Sequence, residues 1–184
     1  TSRITKRLLD LFLSIVGLVV ISPFLLVIAL VVKLYDRGSV LYFQKRIGQN
    51  NKEFTVYKFR TMYEGSHEQR AQVMAETNKD PRLAKDPKDP RVTKPGLFLR
   101  RWSIDEIPQI INVLKGEMSL VGPRPGLFNQ QELTEARDKH GVFNARPGIT
   151  GLAQVNEIDM STPELLAETD AKFQAMLVAI THLD

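Results

Sequence analysis

Cysteine is absent from all 184 residues, which excludes disulfide bracing and thiolate metal centres together. The lack fits a reducing cytoplasm without demonstrating one. Histidine is scarce: His67, His140 and His182 are the only imidazoles, and their scatter matches no zinc spacing. A dominant charge is also missing. With 25 Lys+Arg against 21 Asp+Glu, the balance is mildly basic, which favours acidic surfaces or phosphate ligands without choosing between membrane and nucleic acid. At 184 residues the chain has room for one compact domain and an appendage, not for two full domains.

What the sequence does hold is one long apolar run. Leu11 to Val32 is broken only by Ser14, Gly17 and Ser22-Pro23, and Arg3, Lys6, Arg7 and Asp10 precede it. As a helix this run would rise about 33 Å, against a hydrocarbon core of about 30 Å. It continues past signal-peptide length, and Lys33-Leu34-Tyr35-Asp36 offers no small-residue cleavage site, so it is expected to persist in the working protein. Pro23 lacks an amide hydrogen and its ring opposes the carbonyl of Val19, while Ser22 can bond back to the freed backbone. A bend near mid-membrane is the expected result. Two topologies fit, a kinked crossing and a re-entrant hairpin that enters and leaves by one face. Lys33, Arg37, Lys45 and Arg46 follow the run as other cations precede it, which supports one-face entry; the frequency of proline in transmembrane helices keeps the crossing open. Asp10 is expected to pair with Lys6 and Arg7 at the interface.

Beyond the turn-like Asp36-Arg37-Gly38-Ser39, the stretches Val40–Phe43 and Phe54–Phe59 read as a β-hairpin around polar Gly48–Lys52. Glu64–Thr77 has helical composition, and Asn78–Gly96, with three Asp-Pro steps, reads as a surface loop. A helix carrying Ile107, Ile110, Ile111 and Leu114 on one face stops at Gly116. A start at Ser103 would set Pro108 against the carbonyl of Ile104; a start at Asp105 places Pro108 in the first turn and Asp105 at the N-cap.

Asp105 and Glu106 are the residues that invite chemistry. On their own they read as an N-cap and a first-turn acid favoured by the helix dipole. Around them, however, Lys94, Arg100, Arg101, Arg124 and Arg146 lie near turn-forming residues. Cations beside carboxylates suggest a bound phosphate. Gly122-Pro123-Arg124-Pro125-Gly126 and Arg146-Pro147-Gly148 each set an arginine in stiff backbone, suited either to offering a guanidinium to a diphosphate or simply to forming a rigid turn. Lys58 and Arg60 share one strand face opposite Tyr57 and Phe59. Two adjacent acids could also hold magnesium together with phosphate oxygens, and an aspartate is an established nucleophile in phosphoryl transfer.

The run Arg100-Arg101-Trp102-Ser103-Ile104-Asp105-Glu106-Ile107-Pro108-Gln109 resembles the bacterial sugar transferase family, the monotopic phosphoglycosyl transferases. Tyr57–Met62, Asp89–Lys94, Asn112–Pro125 and Arg146–Gly151 resemble that family's further blocks in the same order, and Ser22-Pro23 resembles the break of its re-entrant membrane helix. The resemblance implies an α/β fold of the α+β kind, helix-rich with a small β-hairpin or sheet. A re-entrant hairpin over 1–36, broken at Ser22-Pro23, would precede a catalytic domain over 37–184 at the cytoplasmic face of the bacterial inner membrane. It implies that Asp105 attacks the sugar-bearing phosphate of a UDP-sugar, that UMP leaves, and that polyprenyl phosphate accepts the phosphosugar, initiating a polysaccharide such as O-antigen or capsule. Glu106, with Asp105, would hold magnesium. Lys58, Arg60, Arg91, Arg124, Arg146 and Asp170 would bind phosphate or nucleotide. At Asp170 the chain departs from the many relatives in which two tyrosines follow the aspartate, since Lys172-Phe173-Gln174 comes next here. Met176, Leu177, Val178, Ile180 and Leu183 could line a membrane-facing or a core-packed helix. Membrane lipids are expected partners, a homodimer is compatible with the sequence, and nucleic acid is not expected. The competing reading is a non-catalytic membrane-anchored module that grips nucleotide sugars or anionic lipids.

Overall fold

The computed structural model describes residues 2–66, 89–127, 130–158 and 162–181. It opens on helix α1, Ser2–Asp36, followed by strands β1 (Leu41–Ile47) and β2 (Glu53–Phe59), then α2 (Lys94–Arg101) and a 3-10 turn at Ile104–Gln109. Next come α3 (Ile110–Lys115), β3 (Ser119–Val121), β4 (Gly126–Leu127), α4 (Gln131–Lys139), β5 (Gly148–Thr150), α5 (Leu152–Val155) and α6 (Pro163–Thr181). The helix-rich α+β architecture agrees with the sequence, as does the β-hairpin of β1 and β2. The strands form a three-stranded sheet in the order β2-β1-β4 and a two-stranded sheet of β3 and β5. In the second sheet Ser119 faces Gly148 and Val121 faces Thr150 in parallel register.

Helix α1 is longer than the apolar run and is helical through Ser22-Pro23, with Pro23 inside it. Pro23 removes one intrahelical donor, a local loss that a helix of 35 residues absorbs without ending. That length exceeds the roughly 20 residues needed to cross a bilayer, so part of α1 lies outside any hydrocarbon core. Leu8, Phe12, Ile15, Val19, Val20, Leu26, Val27 and Leu30 are all exposed. By length and composition α1 is apolar enough to associate with a membrane.

Residues contact one another most densely within two interleaved units: 1–19, 44–56 and 109–184 form the first, and 20–43 and 57–108 the second. The division passes through α1 between Val19 and Val20. In the first unit, Asp10 is buried and accepts from Lys6 Nζ (3.2 Å), Ser119 Oγ (2.8 Å) and the Leu120 amide (3.3 Å). Arg7 does not join that pairing. Its guanidinium instead donates to the carbonyls of Val113 (2.6 Å) and Leu114 (3.1 Å), capping the negative end of α3, where Gly116 adopts φ 87° and closes the helix as expected. Val56, Val113 and Met118 form one core cluster of this unit, and Leu133, Ala153 and Leu166 another.

In the second unit the core is Ile28, Val32, Phe59 and Leu99, with Leu25, Ala29 and Ile104 packed against it. Helix α2 was not expected: Lys94–Gly96 falls in the stretch read as loop. Thr93 caps it by accepting the Gly96 amide at 3.0 Å, and Pro95 sits in the first turn, where its missing donor costs nothing. Of that loop, 78–88 lies outside the described residues, as does all of the expected helix beyond Ser66. The expected α-helical start at Asp105 is also corrected. Asp105 and Glu106 occupy the first turn of the 3-10 segment, and α3 begins only at Ile110. A tighter winding accommodates Pro108 without the carbonyl clash an α-helix would impose.

Candidate active site

Each unit gathers its own group of the expected residues. In the second, α2 delivers the chain to the acidic pair. Gly96 lets α2 approach the strand end, because a Cβ there would lie 2.1 Å from the Thr61 carbonyl oxygen. Leu99 then points into the core. Ser103 turns the chain with φ 54°, a left-handed conformation that a non-glycine residue adopts at a cost of roughly 1–2 kcal/mol. Its carbonyl accepts the Glu106 amide at 3.2 Å.

Asp105 and Glu106 are only 9% and 7% exposed, a depth at which carboxylates need cationic or hydrogen-bonding partners. Lys58 supplies one, its ammonium 2.9 Å from Glu106 Oε1. Arg100 answers Asp105: burial lowers the pKa of its guanidinium, and the charges of Asp105 and Asp89 oppose that shift. Arg100 also donates through Nε to Thr61 Oγ1 at 2.9 Å. Two adjacent acids thus sit in a field set by a lysine on β2 and an arginine on α2. Lys58→Met is expected to lower the melting temperature, and the Lys58→Met/Glu106→Gln double variant to lose less than the sum of the single variants, by about 0.5–3 kcal/mol of coupling. Additive losses in thermal unfolding would contradict the pairing.

Arg60 and Arg91 are placed differently from Lys58. Arg60 forks onto the Asp36 carboxylate and donates to the Ser39 carbonyl, tying the end of α1 to the residue after β2. Arg91 is buried and holds Asp89 through Nε (2.9 Å) and Nη2 (2.6 Å). The guanidinium of Arg91 keeps the Asp89 carboxyl below its usual range. Its backbone carbonyl accepts the Tyr63 amide at 3.0 Å. Both guanidiniums are thus engaged by carboxylates other than the acidic pair.

In the first unit, the two arginine-bearing turns pack on one another. Gly122 N donates to the Thr150 carbonyl and Gly148 N to the Pro123 carbonyl, both at 2.9 Å. Arg124 and Arg146 are both half-buried there. Asp170 is buried at 1% exposure and pairs with Arg137 at 2.8 Å. Burial pushes the Asp170 carboxyl up and Arg137 pulls it down, the first effect being the larger. So deep a carboxylate cannot reach a ligand in solvent. Among the described residues one further group gathers possible ligand atoms, His140, Glu164 and Glu168 within 4.8 Å. There the Lys139 ammonium already occupies Glu164 Oε1 at 2.8 Å.

Two contributors went unassigned in the sequence. Arg100 stood among the cations near the pair, and the signal that raises it is its position one helix turn before Ser103. Arg137 carried no signal, since its burial depends on how α4 meets α6.

This geometry accompanies a match to the description "Bacterial sugar transferase" over residues 1–182. The chain belongs to the bacterial sugar transferase family. An undecaprenyl-phosphate glucose phosphotransferase of Komagataeibacter xylinus is 43% identical to this sugar transferase family chain over 159 residues, 82% of the chain and 27% of the relative. The exopolysaccharide production protein ExoY of Sinorhizobium fredii is 38% identical over 170 residues, 86% of the chain and 73% of the relative. A UDP-glucose:undecaprenyl-phosphate glucose-1-phosphate transferase of Klebsiella pneumoniae is 43% identical over 157 residues, 84% and 31% respectively. The chain therefore spans about a third or less of two of these relatives and nearly three quarters of the third.

Proposed function

We propose that this sugar transferase family member moves a sugar 1-phosphate from a UDP-sugar to undecaprenyl phosphate, releasing UMP and forming a polyprenyl-diphosphate-sugar. The observation that carries the reading is the buried Asp105-Glu106 pair flanked by Lys58 and Arg100, in a chain whose relatives are named for this transfer. An Asp105 carboxylate oxygen attacks the sugar-bearing phosphorus; the bond from that phosphorus to the UMP oxygen breaks, and UMP leaves with the electron pair. A phosphate oxygen of the lipid then attacks the same phosphorus and the Asp105 carboxylate departs unchanged. Lys58 and Arg100 supply fixed positive charge at the acidic pair, and Arg124 and Arg146 have the chemistry to hold phosphate oxygens.

The hard oxygen donors of Asp105 and Glu106 suit magnesium, with the Lys58 ammonium already sharing Glu106 Oε1. When bound by these two carboxylates, magnesium would neutralise diphosphate charge. Release of UMP on incubating the reconstituted protein with a panel of UDP-sugars, magnesium and undecaprenyl phosphate is the expected result. Binding without UMP release from any sugar would favour a non-catalytic module.

We place the protein on the cytoplasmic face of the bacterial inner membrane, with α1 as a re-entrant hairpin bent at Ser22-Pro23. Support comes from the cations on both flanks of the apolar run. Helix α2 bears on the same point. Leu99 packs toward Ile28 and Val32 of α1, while Leu97, Phe98 and Trp102 are exposed, with the Arg101 guanidinium 6.0 Å from the Trp102 ring centroid. Aromatic and basic side chains together suit the headgroup region. Trp102 is the only tryptophan, so its emission reports one position. In bilayers carrying brominated acyl chains that emission is expected to be quenched; quenching only by water-soluble iodide would contradict the placement.

A further inference from the structure

The turn that carries Arg124 is held more firmly than a surface turn requires. From Gly122 to Leu127 every residue is buried except Arg124, which is half-buried. On the N-terminal side the turn is fixed by the bonds to Thr150 and Gly148 described above. On the C-terminal side, Arg46 Nη1 donates to the Pro125 carbonyl at 3.0 Å, Gln130 Oε1 accepts the Leu127 amide at 2.9 Å, and Gly126 pairs with Ile47 of β1. Arg137 lies beneath this same end. Its Nη1 is 3.5 Å from where a Cβ on Gly126 would sit.

The Arg137–Asp170 pair is an unusual way to fill that space. Its side chains are 3% and 2% exposed, a depth at which apolar residues of similar volume often stabilise as well or better. Asp170 accepts from Nη2 at 2.8 Å, while Arg137 Nε is buried with no hydrogen-bond partner. An arginine serving only to glue α4 to α6 is expected to present its full fork to the carboxylate. The Arg124 charge further disfavours the Arg137 cation, so the two guanidiniums feel each other.

We infer that Arg137, held by Asp170, is a positioning residue for Arg124. The pair braces the Gly126 end of the turn that carries Arg124, and so sets where the Arg124 guanidinium can meet an incoming phosphate oxygen. The ligand class is the diphosphate of a nucleoside diphosphate or its sugar ester. This inference rests on the proposed transferase reading and deepens it by giving Asp170 a role without ligand contact.

The test uses the full chain reconstituted in bilayers, with Arg124→Met, Asp170→Asn and Arg137→Lys alone and combined. UDP affinity by titration calorimetry is read beside KM and kcat for UMP release, so binding is measured independently of turnover. Asp170→Asn and Arg137→Lys are each expected to weaken UDP binding and raise KM about tenfold, the size of one charge-assisted contact weakened, with kcat changed much less. In the Arg124→Met background the same substitutions are expected to add nothing, because they act through Arg124. Multiplied losses in the double variants, or unchanged UDP affinity in the folded single variants, would overturn the inference. Should Asp170→Asn fail to fold, Arg137→Lys, which keeps the charge, decides alone. UDP binding by the wild type without UMP release would overturn the transferase reading while leaving the positioning result intact.

Discussion

Asp105→Asn protein is expected to fold like the wild type and to release no measurable UMP from any UDP-sugar, a fall of at least about 10³-fold. The amide has nearly the shape of the carboxylate, so the 3-10 turn at Ile104–Gln109 should persist. It lacks the anionic oxygen that attacks phosphorus. Its neighbour provides the control: Glu106→Gln should reduce turnover while leaving residual UMP release, since the proposed nucleophile is still present. The two variants, measured for UMP release and thermal unfolding, separate the roles. Full activity in folded Asp105→Asn would remove the nucleophile assignment.

Gly148→Ala is expected to have the largest structural effect of any added methyl in the first unit. The new Cβ would fall 2.1 Å from Gly122 N and 2.6 Å from its Cα. Both are backbone atoms, so no side-chain rotation gives relief, and β3 and β5 must part. Overpacking of this kind costs about 1–3 kcal/mol, or roughly 2–12 °C in melting temperature for a chain of this size. The bond from Gly148 N to Pro123 O and the register of Ser119 with Gly148 would go together. UDP affinity should fall with them, because the turns of Arg124 and Arg146 rest on that contact. An unchanged melt in circular dichroism would show that the strands are not held this way.

How much of this was legible beforehand differs from residue to residue for physical reasons. The apolar helix, the hairpin and the stop at Gly116 follow from composition and from backbone preference, which are local properties. Helix α2 was missed because three Asp-Pro steps dominated the reading of 78–96, although Thr93-Lys94-Pro95 carries a capping residue and a first-turn proline. The 3-10 winding at Asp105 was not legible because an N-capped α-helix starting there also relieves Pro108 by placing it in the first turn. The acidic pair and its neighbouring cations were legible as a cluster of residue types, yet the pairing of Lys58 with Glu106 depends on tertiary placement. Arg60 and Asp170 show the limit most clearly. Both were read as substrate-binding residues, but Arg60 is spent on Asp36 and Asp170 is buried against Arg137.

The central claim is that Asp105 carries the phosphosugar between two substrates. Intact-mass measurement of the reconstituted protein, incubated with a UDP-sugar and magnesium in the absence of polyprenyl phosphate, tests it most directly. The account predicts a species heavier by one phosphosugar, mapped to Asp105 by peptide fragmentation and discharged when undecaprenyl phosphate is added. UMP release that requires the lipid acceptor from the outset, with no adduct at Asp105, would contradict it.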